Sequence, residues 1–259
     1  MFLALAPALA ASAGAQTAAQ ASADSLGGSA GPDADLRGNH GPDRLGVGFQ
    51  ASSLGLGAEV AFQVTRTTNL RGGFSIFSYS RGLDHNGIHY DGDLRWLSGQ
   101  AHYDWFPFAH FAHAFHLSPG LLVYNDNHVD ATATVPGGNN FNLNHVTYES
   151  NPADPVSGTG GVSFNKVAPT ILMGFGNLVP RHGQHFSVNI EWGIAFQGGP
   201  MVALNLTGSA CAPQTPYCAN VATTPAIQAN VQGEQTILRN DLNALRYYPL
   251  VSLTLGYRF

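Results

Sequence analysis

The chain has 259 residues, only 10% of them charged, and a net charge of −5. Soluble domains carry about 25% charged residues, and no run past the N-terminus approaches the roughly 18 apolar residues of a spanning helix. An acidic balance with no basic run longer than a pair excludes nucleic acid as a partner.

The chain opens on an apolar stretch, Met1 to Leu9, followed by Ala13-Gly14-Ala15. This predicts a signal peptide over 1–15, cleaved after Ala15. Residues 16–43 are rich in Ala, Ser, Gly, Asp and Pro and predict a disordered periplasmic leader. From 44 to 259 the chain alternates with period two, the pattern of strands with one apolar and one polar face.

The first strand is short, over 46–50. Leu54, Leu56, Ala58, Val60, Phe62 and Val64 then oppose Glu59 and Gln63, and Leu70, Phe74 and Ile76 oppose Arg71 and Gly73. A Gly-, Asp- and His-rich loop is predicted over 81–88. In 89–106, Asp91, Asp93 and Arg95 share parity with Leu97, Ala101, Tyr103 and Trp105, so a β-bulge near 96–98 is predicted to reset the faces. Strands follow over 115–125 and 166–177. In 186–197, Val188, Ile190, Trp192 and Ile194 oppose Asn189, Glu191 and Gly193. In 248–259, Val251, Leu253, Leu255, Tyr257 and Phe259 oppose Ser252, Thr254, Gly256 and Arg258.

Short connections at 65–69, 107–113 and 178–185 alternate with mostly longer ones at 81–88, 126–162 and 207–245. That asymmetry predicts an all-β fold: an antiparallel up-and-down transmembrane β-barrel of eight strands, with both termini on the short-turn side. A hairpin within 126–162 makes the alternative of ten. Ile227, Val231, Leu238, Leu242 and Leu245 recur at helical spacing after Pro225, predicting a short helix in the last long loop.

With the apolar faces turned to lipid, the interior receives Glu59, Arg71, Lys166, Glu191 and Arg258, joined by Asp93 and Arg95. An eight-stranded barrel is only wide enough for its side chains to fill. The expectation is a salt-bridged, sealed polar lumen, the alternative a narrow channel for ions or small solutes. Trp96, Tyr103, Trp105, Tyr247, Tyr248 and Tyr257 lie near strand ends, where they predict aromatic girdles. Cys211 and Cys218 predict a local disulfide in an oxidising compartment.

The segments Leu54-Gly55-Leu56-Gly57-Ala58-Glu59-Val60, Asn69-Leu70-Arg71-Gly72-Gly73-Phe74, Asp104-Trp105-Phe106-Pro107-Phe108 and Tyr247-Tyr248-Pro249-Leu250-Val251-Ser252-Leu253 resemble a small bacterial outer-membrane β-barrel of the OmpA-like/OmpW-like superfamily. The resemblance spans about 45–259 and does not extend to a peptidoglycan-binding domain. It implies the outer membrane, with periplasmic termini. Its implied partners are outer-membrane lipids including lipopolysaccharide, and the barrel-assembly machinery and periplasmic chaperones during biogenesis. The terminal pair Tyr257 and Phe259 looks like the assembly signal of such barrels. A structural or surface-interaction role for a monomer is expected.

No catalytic residue is predicted. His116 and Ser118 share a strand face without an orienting third group, so a lipid-modifying enzyme is the least favoured reading. The histidines at 85, 89, 110, 113 and 116 lack ligand spacing, and no metal or cofactor is expected.

Overall fold

The computed structural model describes residues 44–85, 88–108, 114–181, 184–213 and 217–259. The expected signal peptide (1–15) and leader (16–43) lie outside the described residues. The strands are β1 (Leu45–Ser52), β2 (Gly55–Gln63), β3 (Thr68–His85), β4 (Ile88–Trp105), β5 (Phe115–Asn125), β6 (His128–Thr134), β7 (Asn140–Leu143), β8 (Val146–Ser150), β9 (Ser157–Ser163), β10 (Ala168–Phe175), β11 (Phe186–Phe196), β12 (Met201–Thr207), β13 (Ser209–Cys211), β14 (Cys218–Asn220) and β15 (Tyr247–Arg258). A helix, α1 (Pro225–Asp241), and a 3-10 turn over Leu242–Arg246 lead into β15.

Hydrogen bonding closes a ring. β1 pairs with β2, β2 with β3, β3 with β4 and β4 with β5. The path continues from β5 to β10, β11 and β15, and β15 returns to β1 with Gly46 opposite Arg258. Every pairing is antiparallel, and closure leaves no free edge in the ring. The period-two pattern decides which face is inside. In β10, Thr170 and Leu172 are buried while Ile171, Met173 and Phe175 are exposed. In β15, Ser252 and Thr254 are buried while Val251, Leu253 and Leu255 are exposed. The barrel is therefore inverted relative to a soluble protein, with polar side chains inside and apolar ones outside.

Two expectations about β3 and β4 are corrected. Residues 81–85 and 88 belong to the strands rather than to a loop, so β3 and β4 form a hairpin of two 18-residue strands. Their register runs unbroken from Thr68 opposite Trp105 to His85 opposite Ile88, with no bulge in β4. The bulge lies on the other side, in β5, where the register shifts opposite Gly99 and Gln100. It turns both Val123 and Tyr124 outward and leaves Leu122 and Asn125 inward.

At the end away from Leu45 and Arg258, the long connections build a cap. The half of β4 from His89 to Arg95 leaves β5 and pairs with β6, which continues to β9 and β12. A second small sheet has the order β14-β13-β8-β7. The disulfide Cys211–Cys218 joins β13 to β14 with Cα atoms 3.9 Å apart. The hairpin β7–β8 turns on Asn144 and His145, with φ of 50° and 66°, the left-handed pair of a tight hairpin turn.

α1 starts with Pro in its first turn, where the missing N–H costs no hydrogen bond. Ile227 and Val231, one helical turn apart, are both buried. They enter a cluster with Ile88, Val135, Leu143, Val156, Ala210 and Val221. Gln235 Nε2 donates to the Leu204 carbonyl at 3.0 Å, and Glu234 accepts the Asn144 N–H at 2.8 Å. Gly233, unfavourable in a helix on propensity, is explained by close approach: a Cβ there meets Asn144 Nδ2 at 2.7 Å.

Val231 is 2% exposed, so Val231→Asp places an unpaired charge in the cap core. The expected result is rapid proteolysis within 126–245 while the barrel keeps its heat-modifiable gel mobility. Loss of both together shows that cap and barrel fold as one unit.

Candidate functional site

The interior of the ring is organised around Arg71, which β3 points inward in line with Gly73 and Ser75. Its side chain is about 1% exposed. Nη1 donates to Glu59 Oε2 at 3.1 Å and to Glu191 Oε2 at 2.6 Å. Nη2 donates to Asp104 Oδ1 at 3.1 Å and also to Glu191 Oε1. Three carboxylates from β2, β4 and β11 thus surround one guanidinium, whose planar fork suits several acceptors at once.

The carboxylates have further donors. His116 Nε2 lies 2.9 Å from Glu191 Oε1, while its Nδ1 lies 3.2 Å from the Ala114 carbonyl. Both ring nitrogens face oxygen atoms, which fixes the orientation of the ring. Ser118 Oγ donates to Asp104 at 2.7 Å, Thr254 Oγ1 to Glu59 at 3.3 Å and Ser252 Oγ to Glu191 at 3.3 Å. Gln100 Nε2 bridges Glu59 Oε1 at 3.1 Å and Gln50 Oε1 at 2.7 Å. His102 sits beside the cluster with Nε2 3.1 Å from Thr170 Oγ1. Glycine makes the room these chains need. A Cβ at Gly174 meets Glu191 Cγ at 2.7 Å and His116 Cε1 at 3.0 Å.

Apolar layers close the cluster on both sides. Toward the cap lie Leu54, Leu122, Ala168, Leu172, Ala195 and Leu250, with Tyr248 against them. Toward the chain ends, the β10–β11 connection folds Leu178 and Val179 into the mouth against Ala61. Phe106 is 1% exposed there, its ring 5.3 Å from that of His116 and 4.6 Å from Arg181 Cζ. The space left among Gln50, Gln100, Leu172, Glu191 and Ser252 is about 10 Å³, room for about one water molecule.

Of the interior charges expected from the sequence, the structure brings Glu59, Arg71 and Glu191 together. Arg258 is half-buried at the mouth, donating to the Pro180 carbonyl. Lys166 stands on the rim with its side chain 66% exposed. It donates to Asp126, and that hydrogen bond holds the Asp126 carboxyl below its ordinary value. Asp93 and Arg95 are exposed on β4 beyond the ring, because the unbroken register keeps their parity outward. The same parity turns Ser98, Gln100, His102 and Asp104 inward, the set that the expected bulge concealed. Ser118 donates to Asp104 rather than to His116, so the pair lacks the bond of a nucleophile to its base. Among the described residues no group of three or more His, Cys, Asp or Glu is arranged to hold a metal.

No protein-family model matches the chain, and no curated protein does. Solved structures do. Acinetobacter baumannii CarO is similar over 83% of this chain and 97% of its own, at 21% identity and a TM-score of 0.52. CarO2 of the same organism covers 83% and 98%, at 19% identity and a TM-score of 0.53. The chain shares their fold. At this identity the likeness with CarO concerns architecture alone.

Removing one partner of a buried ionic group costs about 3–5 kcal/mol. Arg71→Met leaves three carboxylates without their shared cation, and a loss of about that size is expected in urea unfolding of the refolded barrel. Lys166→Gln breaks an exposed pair and is expected to leave the unfolding midpoint unchanged. A midpoint in Arg71→Met equal to wild type shows that the cluster does not hold the barrel together.

Proposed function

We propose that the chain is an integral outer-membrane β-barrel protein of the OmpA-like/OmpW-like kind, with a sealed polar lumen and a structural or surface-interaction role. The observation that carries this reading is the exposed band around the ring. Phe74, Ile76, Val188, Leu253, Leu255 and Ile171 are each between 44% and 57% exposed, and their neighbours on every ring strand are apolar too. Exposed apolar patches on soluble monomers rarely exceed a few hundred Å². A surface of this kind is stable in hydrocarbon, where a closed barrel also satisfies its own backbone hydrogen bonds.

In this reading eight strands cross the membrane: β1 to β5, β10, β11 and β15. The short connections and both chain ends face the periplasm. The cap, with α1 and the Cys211–Cys218 disulfide, is extracellular and supplies the surface that meets the environment. Residues 1–15 direct export and 16–43 form the leader. Tyr257 and Phe259, whose rings lie 5.5 Å apart, serve as the assembly signal for the barrel-assembly machinery, with periplasmic chaperones acting before insertion. The protein acts as a monomer, without cofactor or catalytic centre.

The small interior cavity and the apolar layers on either side of the ion cluster favour a sealed lumen over a channel. Refolded protein in a planar bilayer is expected to insert and stay electrically silent, with heat-modifiable gel mobility confirming the folded barrel. Steady, charge-selective conductance overturns the seal and makes Arg71, Glu59 and Glu191 the selectivity filter. Failure to enter bilayers at all overturns the membrane reading.

A further inference from the structure

The outward band ends, on the cap side of β5, β11 and β15, in aromatic side chains. Tyr124 is 46% exposed, Phe196 42% and Tyr247 52%. Two of these rings carry cations. Lys166 Nζ lies 5.9 Å from the Tyr124 ring centroid, and Arg246 Cζ lies 5.1 Å from that of Tyr247. The Asn165 N–H donates to the Gln197 carbonyl at 3.3 Å, and the Gln197 N–H to the Arg246 carbonyl at 3.1 Å. These bonds align three neighbouring strand ends, so the backbones at Asn165 and Arg246 lie roughly 10 Å apart, two strand spacings, and the two cations reach from them over Tyr124 and Tyr247. Phe196 lies between them, its ring 5.9 Å from that of Tyr247.

We infer that this rim binds the phosphate groups of a phosphorylated glycolipid in the outer leaflet. The inference rests on the outer-membrane reading above. Tyrosine at the edge of an apolar band marks the headgroup level, and a cation resting on such a ring faces the layer where lipid phosphates lie. Arg246 has no carboxylate partner among the described residues. Leu245 and Tyr247, both exposed, flank it and anchor it at the interface. Lys166 shares Asp126 with Arg95 and His128, which also act on that carboxylate. His128 additionally faces Asp130 at 3.5 Å. Lys166 and Arg95, two fixed cations acting on the one carboxylate of Asp126, leave positive charge for an anionic oxygen. Two cations held apart on separate strands match a headgroup with two phosphates better than one with a single phosphate.

The test uses the full refolded protein in phosphatidylcholine vesicles containing, at equal mole fraction, fluorescent bis-phosphorylated lipid A, its dephosphorylated form or phosphatidylglycerol. Lipid enrichment at the protein is read by energy transfer from its tryptophans. Wild type is expected to enrich lipid A over the other two. Lys166→Gln and Arg246→Gln are each expected to lower that enrichment about fivefold, the effect of one basic residue near a lipid surface. Arg239→Gln, on α1 away from the rim, is expected to change nothing. Gel mobility after heating verifies that every variant is folded. Equal enrichment by the double variant, or enrichment of dephosphorylated lipid A, overturns the site. Equal enrichment of phosphatidylglycerol overturns the assignment to the glycolipid. A wild type that does not enter the vesicles overturns the membrane reading and the site with it.

Discussion

The guanidinium of Arg71 is the group on which the interior depends. An ion buried this deeply inside the ring is stable only with partners. Arg71 draws carboxylates from three strands to one point, and each carboxylate is completed by a hydroxyl, amide or imidazole on another strand. The result ties β2, β3, β4, β5, β11 and β15 together through side chains as well as through the backbone ladder. Glycine at Gly73 and Gly174 is part of the same solution, because the long charged chains need the volume a Cβ takes.

The apolar layers give this cluster its setting. Leu122, Leu172 and Leu250 pack above it and Leu178, Val179 and Phe106 below it. Low-dielectric surroundings strengthen each ionic contact and raise the cost of breaking one. The interior thus combines a polar cluster with apolar packing on either side of it.

Much of this was legible in the residues. Strict alternation in β10, β11 and β15 assigns Glu191 to the interior and Ile190 and Trp192 to the exterior, because the side-chain period of a strand leaves no third choice. Glu59 and Arg71 follow for the same reason. In β4 the local pattern misleads. Asp91, Asp93 and Arg95 share the parity of Tyr103 and Trp105, and charge on an apolar face reads as an error to be repaired by a bulge. The strand instead extends beyond the ring, where outward charges meet solvent, so no repair is needed. Lys166 was misplaced by the reverse logic. Its even parity matches Ala168 and Thr170, but it lies in the bend before β10, where strand parity no longer applies.

The inverted, period-two barrel and the two-sidedness of each strand follow from the residues alone, because alternation is a local property that every short stretch carries. Which charges meet follows from the closing of the ring. The Arg71 cluster joins residues up to 195 positions apart in the chain, and no local pattern encodes such a meeting. The cap is of the same kind. Its strands β6 and β9 are short pieces rich in Gly, Ala, Ser and Thr with little apolar signal of their own. They become strands because the upper half of β4, having left β5 behind, presents an unpaired edge for them to extend.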